Sequence, residues 1–145
     1  MKLRKVISGG QTGADQAGII EARKLGLETG GWAPRGWRTE DGAAPWLEEY
    51  GLKQHPSSRY PPRTIANVND SDCTFWFGNI GSPGYWCTRN ACVAAGKPFK
   101  LAATSSLRVE AESYEVINIA GNRLSKNPTV YQTVVDAFAT LKEAK

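Results

Sequence analysis

The chain has 145 residues, 41% of them hydrophobic and 22% charged, a length and composition that predict one folded domain over 1–145 and exclude a disordered chain. Eighteen Lys and Arg against 14 Asp and Glu give a formal net charge of +4, a bias toward small anionic partners; with no block of five or six like charges, nucleic acid is not expected. No apolar run reaches the ~18 residues of a membrane span, the basic start runs into glycine instead of a signal peptide's apolar stretch, and three cysteines without a Cys-x-x-Cys spacing point to the reducing cytoplasm.

Arg4–Ser8 reads as a short strand ending in Gly9-Gly10. A helix follows from about Gly13 to Leu25, small on one face at Ala14, Ala17 and Gly18, with Thr12 as cap and Asp15 in a capping-box-like position. Gly26–Ala33 holds a second, weak strand. The stretch from Pro34 to Ser58 is irregular and rich in Gly, Pro and Trp, with a short strand near Gly51–Gln54. Its length suggests function, and Trp32, Trp37 and Trp46 argue for packing. Pro61-Pro62 starts a helix with Ile65 and Val68 as its apolar face, ending near Asp70. Cys73–Phe77 is an unbroken β-prone run of the kind buried on both faces. Next comes a helix with Cys87, Ala91 and Ala94 on one face and Gly96 as its stop. Phe99–Ala102 and Glu115–Ala120 are two further strands. The last helix is capped by Asn127, opens with Pro128 and carries Val130, Val134, Phe138 and Leu141 at helical spacing. Alternating strands and helices predict an α/β fold: a Rossmann-like three-layer sandwich around a mostly parallel sheet.

In such a sheet ligands bind beyond the carboxyl ends of the strands, and four loops of this chain belong there. Ser8-Gly9-Gly10-Gln11-Thr12-Gly13 is a dinucleotide-type fingerprint with Ser in place of its first Gly. Its glycines admit a phosphate and the following helix start offers N–H groups; the alternative is a tight turn with nothing bound. No acidic residue stands at Trp32-Ala33 to clamp a ribose, and no Gly-Lys-Ser/Thr follows, which disfavours NAD binding and P-loop hydrolysis. The second loop places Arg35 and Arg38 within reach of a phosphate and Trp37 where it could stack on a ring, unless both arginines merely pair with Glu40 and Asp41. The third, Phe77–Gly84, adds Ser82 and Gly84 before a helix. The fourth carries Arg123, Ser125 and Lys126 ahead of a helix start, where cations are unfavourable unless an anion is present.

Other candidates read more plainly. His55, the one histidine, lies in a Pro-flanked loop and suits the surface. Cys73, Cys87 and Cys92 suit the core. Asp15, Asp70 and Asp72 suit caps and turns, and no constellation spells a metal ligated by side chains.

Four stretches together carry a resemblance: Ile7-Ser8-Gly9-Gly10-Gln11-Thr12-Gly13-Ala14-Asp15; Gly31-Trp32-x-Pro34-x-Gly36 with Glu40-Asp41-Gly42; Asn67-Val68-x-Asp70-Ser71-Asp72; and Asn118-Ile119-Ala120-Gly121-x-Arg123-x-Ser125-Lys126. From about Val6 to Phe138 the chain resembles the molybdenum-cofactor carrier family, which is Rossmann-like and related to the cytokinin-activating phosphoribohydrolases. The resemblance implies a homo-oligomer, dimer or tetramer, holding the molybdenum cofactor (molybdopterin) or a nucleotide. It points to Gly9, Gly10, Gln11, Thr12 and Gly13 as a phosphate cradle with Arg35, Ser125 and Lys126 nearby. The chain differs from the family pattern at Gln16, Trp37 and Tyr85. Aligned with the hydrolases' Pro-Gly-Gly-x-Gly-Thr-x-x-Glu, the catalytic Glu falls on Thr88, whose hydroxyl cannot replace a carboxylate.

The expected function is a non-catalytic binding or carrier protein for a phosphate-bearing small molecule, the ligand set being Gly9, Gly10, Gln11, Thr12, Gly13, Asp15, Arg35, Arg38, Ser82, Gly84, Arg123, Ser125 and Lys126. The alternatives are an enzyme acting on a nucleotide or sugar phosphate, with Asp15 or Glu40 as general base, and an interaction module whose Trp-rich loop makes subunit contacts.

Overall fold

The computed structural model describes residues 1–142. Six parallel strands make the main sheet: β1 (Lys5–Ile7), β2 (Glu28–Ala33), β5 (Leu52–Gln54), β6 (Cys73–Phe77), β7 (Phe99–Leu101) and β8 (Val116–Gly121). Their order is β5-β2-β1-β8-β6-β7, so the last strand in sequence lies at the centre, between β1 and β6. Chain direction reverses across this centre: β1 leads outward to β2 and β5, whereas β6 leads the other way to β7. The crevice outside the carboxyl ends at such a reversal is where α/β sheets bind ligands. The predicted α/β architecture is the one observed.

Helices α1 (Ala14–Lys24), α4 (Leu107–Glu110) and α5 (Val130–Lys142) pack together, and α2 (Tyr60–Asn69) packs on α3 (Pro83–Ala95). On α5, Val130, Val134, Phe138 and Leu141 are the buried residues, the stripe its spacing predicts, each contributing about 1.5–3 kcal/mol of apolar burial. The Asn127 side chain accepts the Thr129 N–H at 3.3 Å, but in the turn ahead of the helix: α5 begins at Val130, two residues after the expected opening at Pro128. All five residues of β6 are buried. The small face of α1 lets it lie against β8: a Cβ added at Gly18 would stand 2.8 Å from the Ile119 Cβ.

Several local expectations are corrected. Thr12 does not cap α1; Gly13 occupies the cap position with φ 83° and no side-chain bond, because the Thr12 hydroxyl is drawn to Glu40. A Cβ at Gly13 would also come 2.5 Å from the Asn122 carbonyl oxygen, so glycine is required both by φ and by the close approach of the fourth loop. Of the expected apolar face of α2, Val68 is buried but Ile65 is 49% exposed, and Thr64 and Asn67 are buried beside Val68 instead. On α3 the buried residues are Tyr85, Thr88 and Cys92 rather than the Cys87, Ala91 and Ala94 face. Edge-on contacts of Tyr85 with Trp76 and Phe99, at 5.4 and 5.7 Å between ring centroids, set that rotation.

The irregular stretch contains more structure than its composition reveals. A two-stranded ribbon, β3 (Arg38–Thr39) and β4 (Gly42–Ala43), is followed by a 3-10 turn over Pro45–Tyr50 and then β5. Trp37 packs on a second small core of Ile19, Ala33, Ala44, Leu47 and Leu52. The Trp32 indole donates to the Asp70 carboxylate at 2.8 Å, and Trp46 meets the Tyr50 ring edge-on at 5.5 Å. Among the described residues no helix is long and apolar enough to cross a membrane.

Candidate functional site

The first loop leaves β1 and wraps around a carboxylate from its own helix. Asp15 is 4% exposed. Its carboxylate accepts the Gln11 N–H at 3.2 Å and a bond from the Gly9 N–H. Ser8, standing where the fingerprint has its first glycine, donates its hydroxyl to the Asp15 carbonyl at 2.9 Å and accepts the Gly10 N–H at 3.3 Å. The Thr12 N–H goes to the Gln11 side-chain oxygen at 3.0 Å. The N–H groups of Gly9, Gly10, Gln11 and Thr12, expected to stand open for a phosphate, are thus already partnered, and two of them hold an internal anion. Asp15 is neither a simple cap nor a turn residue.

Arg63, in the first turn of α2, closes over this loop. Its Nη1 lies 3.8 Å from the Asp15 carboxylate, and the guanidinium stands so close to Gly9 that a Cβ there would be 2.2 Å from Nη1. Its buried Nε has no hydrogen-bond partner among the described residues. Desolvation raises the Asp15 carboxyl from 3.8 to about 6, against the opposing pull of Arg63 and the Gln11 and Gly9 N–H groups. Beside the pair is a cavity of about 10 Å³ lined also by Thr64, Asn67, Thr88 and Asn118, the space of roughly one water molecule. Thr88, aligned with the hydrolases' glutamate, therefore shares a cavity with Asp15. Its hydroxyl donates to the Gly84 carbonyl at 2.9 Å.

Glu40 ties three of the four loops together. Its carboxylate accepts the hydroxyls of Thr12 and Ser125 and the Ser125 N–H at 3.1 Å. The Thr12 hydroxyl in turn accepts the Leu124 N–H at 3.1 Å, and the Glu40 N–H donates to the Gln11 side chain at 2.9 Å. Desolvation pushes the Glu40 carboxyl up, but the bonds from Ser125 and Thr12, with Arg123 nearby, outweigh it and hold the carboxyl below its usual range. The anticipated pairing of Arg35 and Arg38 with Glu40 and Asp41 does not form among the described residues.

Arg38 donates to the Ser58 carbonyl at 3.1 Å and lies 4.7 Å from the centre of the Tyr60 ring. Arg63 and Arg123 approach the same ring at 5.5 and 5.8 Å. The fold therefore gathers Gly9, Gly10, Gln11, Thr12, Gly13, Asp15, Arg38, Arg123 and Ser125 through direct contacts or shared partners. The side chains of Arg35, Ser82 and Lys126 take no part in that network: Lys126 reaches it only through its N–H, which donates to the Arg123 carbonyl at 3.0 Å, and Gly84 only through the carbonyl that accepts the Thr88 hydroxyl. Arg35, Gly84 and Lys126 are exposed, and the Ser82 hydroxyl caps α3 by accepting the Tyr85 N–H at 3.1 Å. Arg63 and Tyr60 are the residues that sequence reasoning passed over. The available signal was an arginine in a first helical turn, the same electrostatic conflict that marked Arg123 and Lys126.

His55 accepts the Ser57 N–H at 3.0 Å and meets the Trp32 ring edge-on. Cys73 and Cys92 are buried, whereas Cys87 is half-buried; desolvation pushes the Cys73 thiol up to about 12. Among the described residues no three His, Cys, Asp or Glu side chains stand together as a metal site.

A Rossmann-like sheet with a glycine loop and cationic groups at its carboxyl edge defines the general class, and comparison with known proteins makes it specific. The chain belongs to the circularly permutated YpsA SLOG family, whose family model matches residues 6–142. Among solved structures it is similar to the "Putative molybdenum carrier protein" of Syntrophus aciditrophicus SB, with a TM-score of 0.82 and 34% identity over 95% of this chain and 94% of that one. The family resemblance carried by the sequence motifs is therefore borne out. No match was found among curated proteins.

Proposed function

We propose that this chain is a binding or carrier protein, without chemistry of its own, for a phosphate-bearing small molecule held at the carboxyl edge of the sheet. The observation that carries the reading is the Arg63 guanidinium standing over Gly9, with an unpartnered buried Nε, beside amides that already hold an anion in Asp15. N–H and guanidinium donors converging at a helix start suit a phosphate oxyanion. An incoming phosphate competes with Asp15 for these donors, and protonation of Asp15 relieves that competition.

The name of the Syntrophus aciditrophicus protein supports the molybdenum cofactor as cargo; a nucleotide fits the same donors. Gly9, Gly10, Gln11, Thr12 and Gly13 form the proposed cradle, with Arg38, Arg123 and Ser125 at its rim and Arg35, Ser82, Gly84 and Lys126 as outlying candidates. We further propose a single domain, a cytoplasmic location and a homo-oligomer. Equilibrium dialysis at low salt against molybdenum cofactor and a nucleotide series tests the central reading. Saturable binding of one ligand, weakened at least tenfold in Arg63→Gln, is expected; no binding of any of them overturns it.

One observation favours a second reading, an enzyme acting on a nucleotide or sugar phosphate with Asp15 as general base. Its carboxyl sits near neutrality beside a space for about one water, as a base that activates water requires. Glu40 suits that role less, because its oxygens are committed to Thr12 and Ser125. Under this reading Asp15→Asn abolishes turnover while retaining ligand binding.

A further inference from the structure

We infer that Arg38, Arg63 and Arg123 form, around Tyr60, a second anion subsite beside the glycine loop, so that the natural ligand carries two anionic groups a short bridge apart. The inference rests on the phosphate-binding reading above and narrows its ligand class.

Three guanidinium groups from three separate segments lie 4.7, 5.5 and 5.8 Å from the centre of one ring. A tyrosine face attracts each cation but brings no negative charge to offset their mutual repulsion. Arg63 has Asp15 as a partner at 3.8 Å. Arg38 and Arg123 form no ion pair within 4.0 Å among the described residues. Arg38 has a neutral carbonyl as its acceptor, and Arg123 acts on Glu40 only through space. Glu40 meanwhile has its carboxylate occupied by Thr12 and Ser125.

The arrangement is also held in place before any ligand arrives. Arg38 lies two residues before Glu40 and Arg123 two before Ser125, so the Glu40–Ser125 bonds fix both segments against the first loop. Arg63 faces the glycine loop on one side and Tyr60 on the other, linking the two subsites. A single phosphate can satisfy the glycine loop and Arg63, leaving Arg38 and Arg123 to a second group. Planar guanidinium donors suit the oxygens of a phosphate or carboxylate.

Calorimetric titration of the full chain with inorganic phosphate and with pyrophosphate tests this. The wild type is expected to bind pyrophosphate at least about tenfold more tightly, the scale of added charge-assisted hydrogen bonds. In Arg38→Gln/Arg123→Gln that ratio falls to about threefold or less, and Tyr60→Leu lowers it while keeping every charge. Arg89→Gln removes one charge on α3, away from this ring, and leaves the ratio unchanged; Arg89 stacks on Trp86. Equal affinities in the wild type, or a ratio that persists in the double variant and in Tyr60→Leu, overturn the subsite but leave the phosphate reading standing. Failure of both anions to bind overturns the subsite together with that reading.

Discussion

Asp15 is a carboxylate placed where a ligand anion would be expected. Its proton affinity in the folded chain, 3.8 raised to about 6, has a defined thermodynamic sign. Between these values the folded state binds more protons than the unfolded state, so this group's contribution to stability falls as pH rises through the window and levels off above about 6. At ~1.36 kcal/mol per pKa unit, the loss amounts to about 3 kcal/mol. Denaturant titrations of Asp15→Asn and wild type at pH 4 and pH 7 check the sign: the variant gains on the wild type as pH rises, by up to about 3 kcal/mol. A constant difference across that range would contradict the account. A phosphate beside Asp15 further disfavours its charged form, so anion binding at pH 7 takes up protons. Calorimetry in buffers of different ionisation enthalpy measures that uptake, and Asp15→Asn loses the part Asp15 contributes, leaving only the phosphate's own change of protonation. The charged group facing Asp15 is Arg63 from α2; Thr88 from α3 and Asn118 from β8 are neutral, and burial pushes the half-buried Cys87 thiol up against the opposing pull of the Arg63 charge.

Elements owe their positions to small residues and to a few polar ties. Gly18→Ala brings a methyl group to 2.8 Å from the Ile119 Cβ, a branched carbon next to the backbone of β8 that has little freedom to move. A loss of about 1–3 kcal/mol is expected from such overpacking, read as a lower midpoint of urea unfolding. The Glu40 tie makes a different prediction: Glu40→Ala leaves the sheet intact but speeds hydrogen exchange at the Leu124 and Ser125 amides, which now end on Thr12 and Glu40. Legibility in the sequence followed the same division. The Val130–Leu141 stripe and the Cys73–Phe77 run were readable because period and composition act locally. The turn of α3 was not, since it follows from Tyr85 meeting Trp76 and Phe99 on the two flanking strands, contacts that form only once the sheet is assembled. The ribbon of β3 and β4 leaves no periodic signal in the sequence, because each strand has two residues. At the site, the glycine loop, Asp15, Arg38, Arg123 and Ser125 were all legible as candidates. The closure by Arg63 was not, because it arises only when α2 folds over the first loop; nor was the grip of Asp15 on the loop amides, because it depends on the turn that the glycines allow before α1.

At the scale of the whole molecule, the central β8 brings the fourth loop beside the first, and β2 brings the second loop to the other side. Arg38 and Arg123 from the second and fourth loops thereby join Arg63 of α2 in one cationic face around Tyr60, beside the first loop. The central claim is that this face binds a phosphate at the first loop, in competition with Asp15. It is tested most directly by titrating the uniformly ¹⁵N-labelled chain with inorganic phosphate at pH 6 and following every amide. Saturable shifts led by Gly9, Gly10 and Gln11, with the Arg63 Nε–H signal moving in step, are the predicted result. Unchanged signals for the first loop and Arg63, or shifts confined to other surfaces, would contradict it.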